Sequence, residues 1–332
     1  MSDVQSAGKS VIDGIGHRFV EANGIRTHIA EQGEGPLVVL LHGFPETWYS
    51  WRHQIPALAA AGYHVVAPDL RGYGQTDAPA EVDKYSQLHL VGDLVGLLDA
   101  LGEQQAVVVG HDFGTAVAWN AALLRPDRIR GVVALSVPYL PRGPISALAG
   151  LRQALGDGFY MQYLQEPGVA DTELAADVRA SLLRFYHWGF GDSPQAAAAS
   201  LPVVPEGSGL LDIMPATTEL PGWLTEADLD VHTAEFTRTG FTGGLNWWRT
   251  IDLSWELTAA WQGAPLTTPA LYVHGDRDGS VGLPGMDQLI ANLQMFVPNL
   301  TRTVVLPGTG HWTQQERPEE VTTELLKFLA GL

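Results

Sequence analysis

Short apolar runs and helix-like stretches alternate along most of this chain. "PLVVLLHG", "YHVVAPD", "QAVVVGH" and "RIRGVVALSVP" are nearly unbroken apolar segments of strand length. Between them lie "WRHQIPALAAAG", "LHLVGDLVGLLDALG" and "TAVAWNAALLRP", which read as helices; Gly62 and Gly102 close the first two. A strand without polar alternation is buried on both faces, so this rhythm calls for a mostly parallel sheet with helices on each side. The same texture returns in "PALYVHGD", "MDQLIANL", "TRTVVLPG" and "PEEVTTELLKFLAGL". Near the start, after a loose lead-in over residues 1–17, "RFVEANGIRTHIAEQGEGP" reads as two strands joined at Asn23-Gly24, a strong hairpin pair.

From 138 to 264 the rhythm lapses. This stretch is rich in Trp, Tyr, Phe and Gly, with helix-like pieces from Glu173 to Phe185 and from Glu226 to Thr239, and a loop from Ser193 to Leu211. The expected organisation is a core made of 1–137 and 265–332, with 138–264 inserted as a helical cap over the C-terminal edge of the sheet. Sites in open α/β sheets lie at that edge.

Composition removes several function classes. With 19 Lys plus Arg against 37 Asp plus Glu, the formal charge of -18 disfavours a nucleic-acid surface and offers no basic handle for acidic lipids. The absence of cysteine excludes disulfides, thiolate catalysis and Cys-ligated zinc. His42, His53, His64 and His89 are scattered over separate elements without ligand spacing, so no metal is expected. The start of the chain lacks an apolar leader, and no run approaches bilayer-spanning length; residence in the cytoplasm is the expectation, and no membrane partner is expected. The oligomeric state stays open, a homodimer included.

"VVVGHDFGTAVAW" places Asp112 where a strand turns sharply into a helix, with Gly110 and Gly114 two positions to either side. An aspartate before a helix is commonly only a cap. The flanking glycines point instead to a tight elbow that exposes the side chain at its apex, with the N–H groups of the following helix beside it. His111 would point away from the bend and reads as structural or as a support behind the site. Downstream, "LYVHGDRDGSVG" offers Asp276 and Asp278, and "VVLPGTGHWTQ" offers His311 in a loop after the last strand. The order nucleophile, acid, histidine is thus available as Asp112, Asp278 and His311, with Asp276 left as a turn residue.

"LLHGFPETWYSW" ends a strand at His42-Gly43, and the Phe44 N–H together with that of Phe113 would make a two-donor oxyanion hole. A cis bond before Pro45 is open at this stage. "LRGYGQTD" lacks a full G-x-G-x-x-G run, so a dinucleotide reading is set aside.

An aspartate attacking an acyl carbon would give a mixed anhydride, whereas attack on a saturated carbon gives an ordinary ester. The substrate therefore needs a strained or leaving-group-bearing carbon, an epoxide or an alkyl halide. An epoxide needs a proton at its ring oxygen; a halide needs N–H donors and no proton. The aromatic insertion favours an apolar substrate, and the pocket residues expected are Trp248, Trp48, Tyr163 and Trp312, with core packing the plain alternative for Trp48. No cofactor is needed; small apolar epoxide and water are the expected partners.

With these residues in view, the chain resembles the soluble epoxide hydrolase branch of the α/β-hydrolase superfamily. "HGFPETWYSWRHQIPALAAAGYHVVAPDLRGYGQTDAP", "GHDFGTAVAW", "QEPGVAD", "GFTGGLNWWR" and "GTGHWTQQERPEEV" carry the resemblance along nearly the whole chain. It implies Asp112 as nucleophile, His311 as water-activating base, Asp278 as its acid, and Tyr160 as donor to the epoxide oxygen. One departure matters: where that branch usually has a second tyrosine, this chain has Trp248. The rival is a haloalkane dehalogenase with the same Asp-His-Asp set, in which a tryptophan often follows the nucleophile; Phe113 holds that place here. A silent binding protein of the same fold is the remaining alternative, and the intact triad speaks against it.

Overall fold

Eight strands form one sheet in the order β1-β2-β4-β3-β5-β6-β7-β8 in the computed structural model, which describes residues 14–193, 202–214 and 216–332. The strands are β1 Gly16–Ala22, β2 Ile25–Gln32, β3 Leu37–Leu41, β4 His64–Pro68, β5 Ala106–His111, β6 Ile129–Leu135, β7 Ala270–Gly275 and β8 Leu300–Leu306. β1 and β2 pair antiparallel across Asn23-Gly24, β2 pairs antiparallel with β4, and every other neighbour is parallel. Asn23 and Gly24 both take positive φ, as a two-residue hairpin of this kind requires. Most of the expected lead-in, residues 1–13, lies outside the described residues, as does 194–201 of the expected Ser193–Leu211 loop.

The central strands are buried on both faces, and their alternation separates two cores. Val39 and Leu41 of β3, Val108 of β5, Val132 and Ala134 of β6 and Tyr272 of β7 join one apolar cluster; it includes α2 (Gln87–Leu101), α3 (Phe113–Leu124) and much of the segment between β6 and β7. Val38, Leu40, Val107, Val109, Val133 and Val273 join the other, against α1 (Gln54–Ala60) and the C-terminal helix Pro318–Leu329. Period-two side chains on unbroken apolar strands thus produce the three-layer architecture expected from sequence.

Between β6 and β7 the regular elements among the described residues are helices joined by loops, apart from an isolated bridge between Phe159 and Val203. The helix Glu226–Thr239 has the predicted bounds and a capping box in which Thr225 and Asp228 satisfy each other's N–H groups. The predicted helix from Glu173 to Phe185 is corrected to two, Val169–Ala176 and Val178–Trp188. Asp177 breaks it by turning extended and accepting the Ala180 N–H, a local capping bond that apolar spacing does not reveal. Likewise the helix expected from Trp51 begins at Gln54, after a 3-10 turn over Trp48–Trp51.

Buried polar links join this helical segment to the sheet. Arg52 pairs with Asp228 at 3.1 Å, the Trp247 indole donates to the Arg71 carbonyl at 3.0 Å, and the Tyr186 hydroxyl donates to the Pro45 carbonyl at 2.8 Å. No helix among the described residues is long and apolar enough to cross a membrane.

Candidate active site

The C-terminal ends of β3, β5, β6, β7 and β8 converge. Asp112 stands between β5 and α3 at φ +50° and ψ −118°, a conformation costly for any residue with a side chain, and it gives no capping bond to α3. The elbow is possible because its neighbours have no side chains. A Cβ on Gly110 would come within 2.3 Å of the Gly114 carbonyl oxygen, and one on Gly114 within 2.2 Å of that of Leu41. The cap reading of Asp112 therefore fails on geometry: the carboxylate is turned away from its own helix.

One of its oxygens, Oδ1, accepts the Phe44 N–H at 3.0 Å. The other, Oδ2, lies 3.6 Å from His311 Nε2, and His311 Nδ1 is 3.1 Å from Asp278 Oδ1. Asp112, His311 and Asp278 are thus brought together in one line of contact. The Phe113 amide directly follows Asp112 in the first turn of α3, where it has no intrahelical acceptor. Of the two expected N–H donors, that of Phe44 is the one engaged with the Asp112 carboxylate. The Phe44–Pro45 peptide is cis.

Charge organises the site. Burial alone would push His311 down, but Asp278, through its charge and hydrogen bond, and then Asp112 and Glu46 raise it to about 9. Burial would likewise raise Asp278; the neighbouring His311, the Ser136 hydroxyl and the Ser280 backbone N–H instead hold it far below the ordinary carboxylate range. Asp276 is the turn residue expected, accepting the Gly308 N–H at 2.7 Å and so tying the His311 loop to the end of β7.

Around this line the structure adds groups that sequence reading passed over. Glu46 is buried and accepts from Gly43 N–H at 3.1 Å, His111 Nδ1 at 2.7 Å, Gln314 Nε2 at 3.0 Å and Gln315 Nε2 at 2.9 Å. Burial opposes its charge, yet His111 and the Gly43 N–H hold its carboxyl at about 2. His111, expected to be structural or a support behind the site, faces the His311 carbonyl through Nε2 at 2.7 Å, so it joins Glu46 to the base-bearing loop. Glu316 braces that loop from below, accepting the N–H groups of Gly310, Gly191 and Trp312; burial still lifts it to about 6. Ser136, just past β6, places Oγ 3.0 Å from His311 Nδ1. A strand-end serine and a loop glutamate carry no distinctive spacing, so nothing in the sequence singled them out.

Tyr160 opens the short helix Tyr160–Tyr163, its ring 5.5 Å from that of Trp248. Burial first, then the charges of Asp112 and Asp278, push its phenol up, which places it within electrostatic reach of both carboxylates. Trp248 packs edge-on against Phe113 at 4.5 Å, and its buried Nε1 has no hydrogen-bond partner among the described residues.

The other expected pocket residues take three different places. Trp48 is corrected: its ring sits in the core on the α1 side of the sheet, 4.7 Å from that of His17, the packing that was its plain alternative. Tyr163 donates its hydroxyl to Glu173 at 2.7 Å, a bond internal to the helical segment. Trp312 is buried behind His311, its indole donating to the Tyr186 carbonyl at 2.9 Å.

Comparison with known proteins bears on this geometry. Residues 36–318 match the family model for the alpha/beta hydrolase fold. The chain is 46% identical over 318 residues to epoxide hydrolase A of Mycobacterium tuberculosis, covering 95% of this chain and 97% of that protein. It is 45% identical to epoxide hydrolase 3 of Siraitia grosvenorii, covering 96% and 99%. Among solved structures, an epoxide hydrolase from an endophytic Streptomyces superposes with a TM-score of 0.91 at 48% identity, covering 96% of each chain. Epoxide hydrolase A from Mycobacterium thermoresistibile superposes at 0.89, also at 48% identity, covering 96% of this chain and 99% of that one.

Proposed function

The chain belongs to the α/β-hydrolase fold family and is an epoxide hydrolase, and from that premise we propose how its own residues carry the reaction. Asp112 Oδ2 attacks a ring carbon of an apolar epoxide from the back, the carbon–oxygen bond of the ring breaks, and an alkyl ester of the enzyme forms. Tyr160 gives its proton to the oxygen as the ring opens. Its raised phenol keeps that proton until a basic alkoxide develops beside it.

Ester formation erases the negative charge of Asp112. That charge is one of the causes holding His311 at about 9, so its loss makes His311 easier to deprotonate at the stage that needs a base. The proton released there restores the Tyr160 phenol. Neutral His311 then takes a proton from water, and the hydroxide attacks Cγ of Asp112. The N–H groups of Phe44 and Phe113 receive the negative charge on Oδ1, and collapse releases the diol, whose oxygen takes the proton back from His311. Asp278 orients the ring and supports the imidazolium. The aromatic segment 138–264 acts as the cap that excludes bulk water and prefers apolar substrates.

The observation that carries this reading is the division of labour on one carboxylate: Oδ1 on the Phe44 N–H at 3.0 Å and Oδ2 3.6 Å from His311 Nε2. A His311→Gln protein given styrene oxide should retain the substrate's mass on the Asp112 peptide. Recovery of that peptide unmodified while diol still forms would refute the reading.

A further inference from the structure

Ser136 pays a conformational cost that the fold alone does not require. It follows the last residue of β6 at φ +78°, and the Val137 N–H donates to the Leu135 carbonyl at 3.1 Å, closing a three-residue turn around it. The positive-φ form of that turn is rare and strained, and a residue with a side chain holds it only where its surroundings over-determine it. β7 does so here: the Ser136 N–H donates to the Val273 carbonyl at 2.9 Å, and the buried Tyr272 hydroxyl donates to the Ser136 carbonyl at 2.7 Å. Glycine would occupy the position without strain.

What the turn achieves is the placement of one hydroxyl. Ser136 Oγ lies 3.0 Å from His311 Nδ1 and 3.2 Å from Ser280 Oγ. Ser280 in turn donates both its N–H, at 2.9 Å, and its hydroxyl, at 2.8 Å, to Asp278 Oδ1. Asp278 Oδ1, 3.1 Å from His311 Nδ1, is therefore shared among three donors. A second acceptor for the same imidazole N–H relieves that crowding. The donors and acceptors close into one chain: His311 Nδ1–H to Ser136 Oγ, Ser136 O–H to Ser280 Oγ, Ser280 O–H to Asp278 Oδ1.

We propose that Ser136 is a positioning residue for His311, a second acceptor that fixes the tilt of the imidazole and aims Nε2 at Asp112 Oδ2. This rests on His311 being the base that hydrolyses the ester. The other groups facing His311 are Asp112 from the elbow, Asp278 from the loop after β7, Glu46 from the loop after β3, and His111, whose ring lies 4.9 Å away; Glu316 braces the loop. Substituting Ser136 removes none of them and takes away one hydroxyl that serves both His311 and Asp278, so a change in His311 behaviour reports that hydroxyl.

The test uses Ser136→Gly, which tolerates the turn, Ser136→Ala, and Ser136→Asn, which restores an acceptor and accepts positive φ. Single-turnover rapid quench with styrene oxide follows the mass of the Asp112 peptide across pH. In the Gly and Ala proteins ester hydrolysis should slow about tenfold while ester formation changes less than about twofold. The acid limb of hydrolysis should move to lower pH, because the imidazolium has lost an acceptor, and Asn should move it back. Hydrolysis at the parental rate with an unmoved limb, or equal slowing of both steps, would overturn the proposal. An unsubstituted protein that forms no ester at all would instead overturn the Asp112 reading, before any Ser136 variant is compared.

Discussion

The backbone N–H of Phe44 donates a 3.0 Å hydrogen bond to Oδ1 of Asp112, leaving Oδ2 as the oxygen that faces His311. The carboxylate is thereby split into a held oxygen and a reactive one. Asp112→Asn keeps the shape but replaces an anionic nucleophile with an amide. Diol formation should fall by at least about a thousandfold with the fold intact, as judged by steady-state assay beside thermal unfolding.

Tyr160 and Trp248 are neighbours with unequal chemistry. A phenol can give up a proton to an alkoxide; an indole N–H can only hydrogen-bond it. Tyr160→Phe should slow ester formation about a hundredfold or more and leave ester hydrolysis nearly unchanged. Trp248→Phe should slow formation by less than about tenfold, and Trp248→Tyr, which adds a second phenol, should not slow it. Rapid-quench measurement of both steps separates these outcomes.

Glu46 carries a buried charge with four hydrogen bonds, one from His111. Glu46→Ala leaves His111, Gln314 and Gln315 without that partner in a site closed to water. The expected loss is about 3–5 kcal/mol, read from urea unfolding at neutral pH.

His311 is held at about 9 against an ordinary value of 6.5. A histidine raised in the folded state binds its proton more tightly there than when unfolded. Its contribution to stability is complete below pH about 6.5 and is lost as pH rises through about 9. Urea midpoints should show His311→Gln most destabilised relative to the parent in acid solution, with the gap narrowing toward pH about 9. A gap that widens with pH contradicts the assignment.

Much of this site was legible because its parts have local signatures. Gly110 and Gly114 around Asp112 announce a turn too tight for side chains, and the order of Asp112, Asp278 and His311 follows from the apolar strand runs that precede each of them. The antiparallel start was legible from Asn23-Gly24. What was not legible depends on contacts between distant segments. Ser136 and Glu46 meet His311 and His111 only once five strand ends converge, and neither has a distinctive neighbour in sequence. Trp48 packs on the α1 side of the sheet, and the residues of its loop do not say which face an aromatic there takes. The break at Asp177 was hidden because apolar spacing continues across a capping bond.

In the proposed mechanism water attacks the enzyme and not the substrate. The most direct measurement is a single turnover in heavy-oxygen water, with enzyme in excess over epoxide, followed by mass analysis of the diol and of the peptide containing Asp112. The expected products are an unlabelled diol and one heavy oxygen in the Asp112 carboxylate. Label in the first-turnover diol, with none in Asp112, would contradict the mechanism.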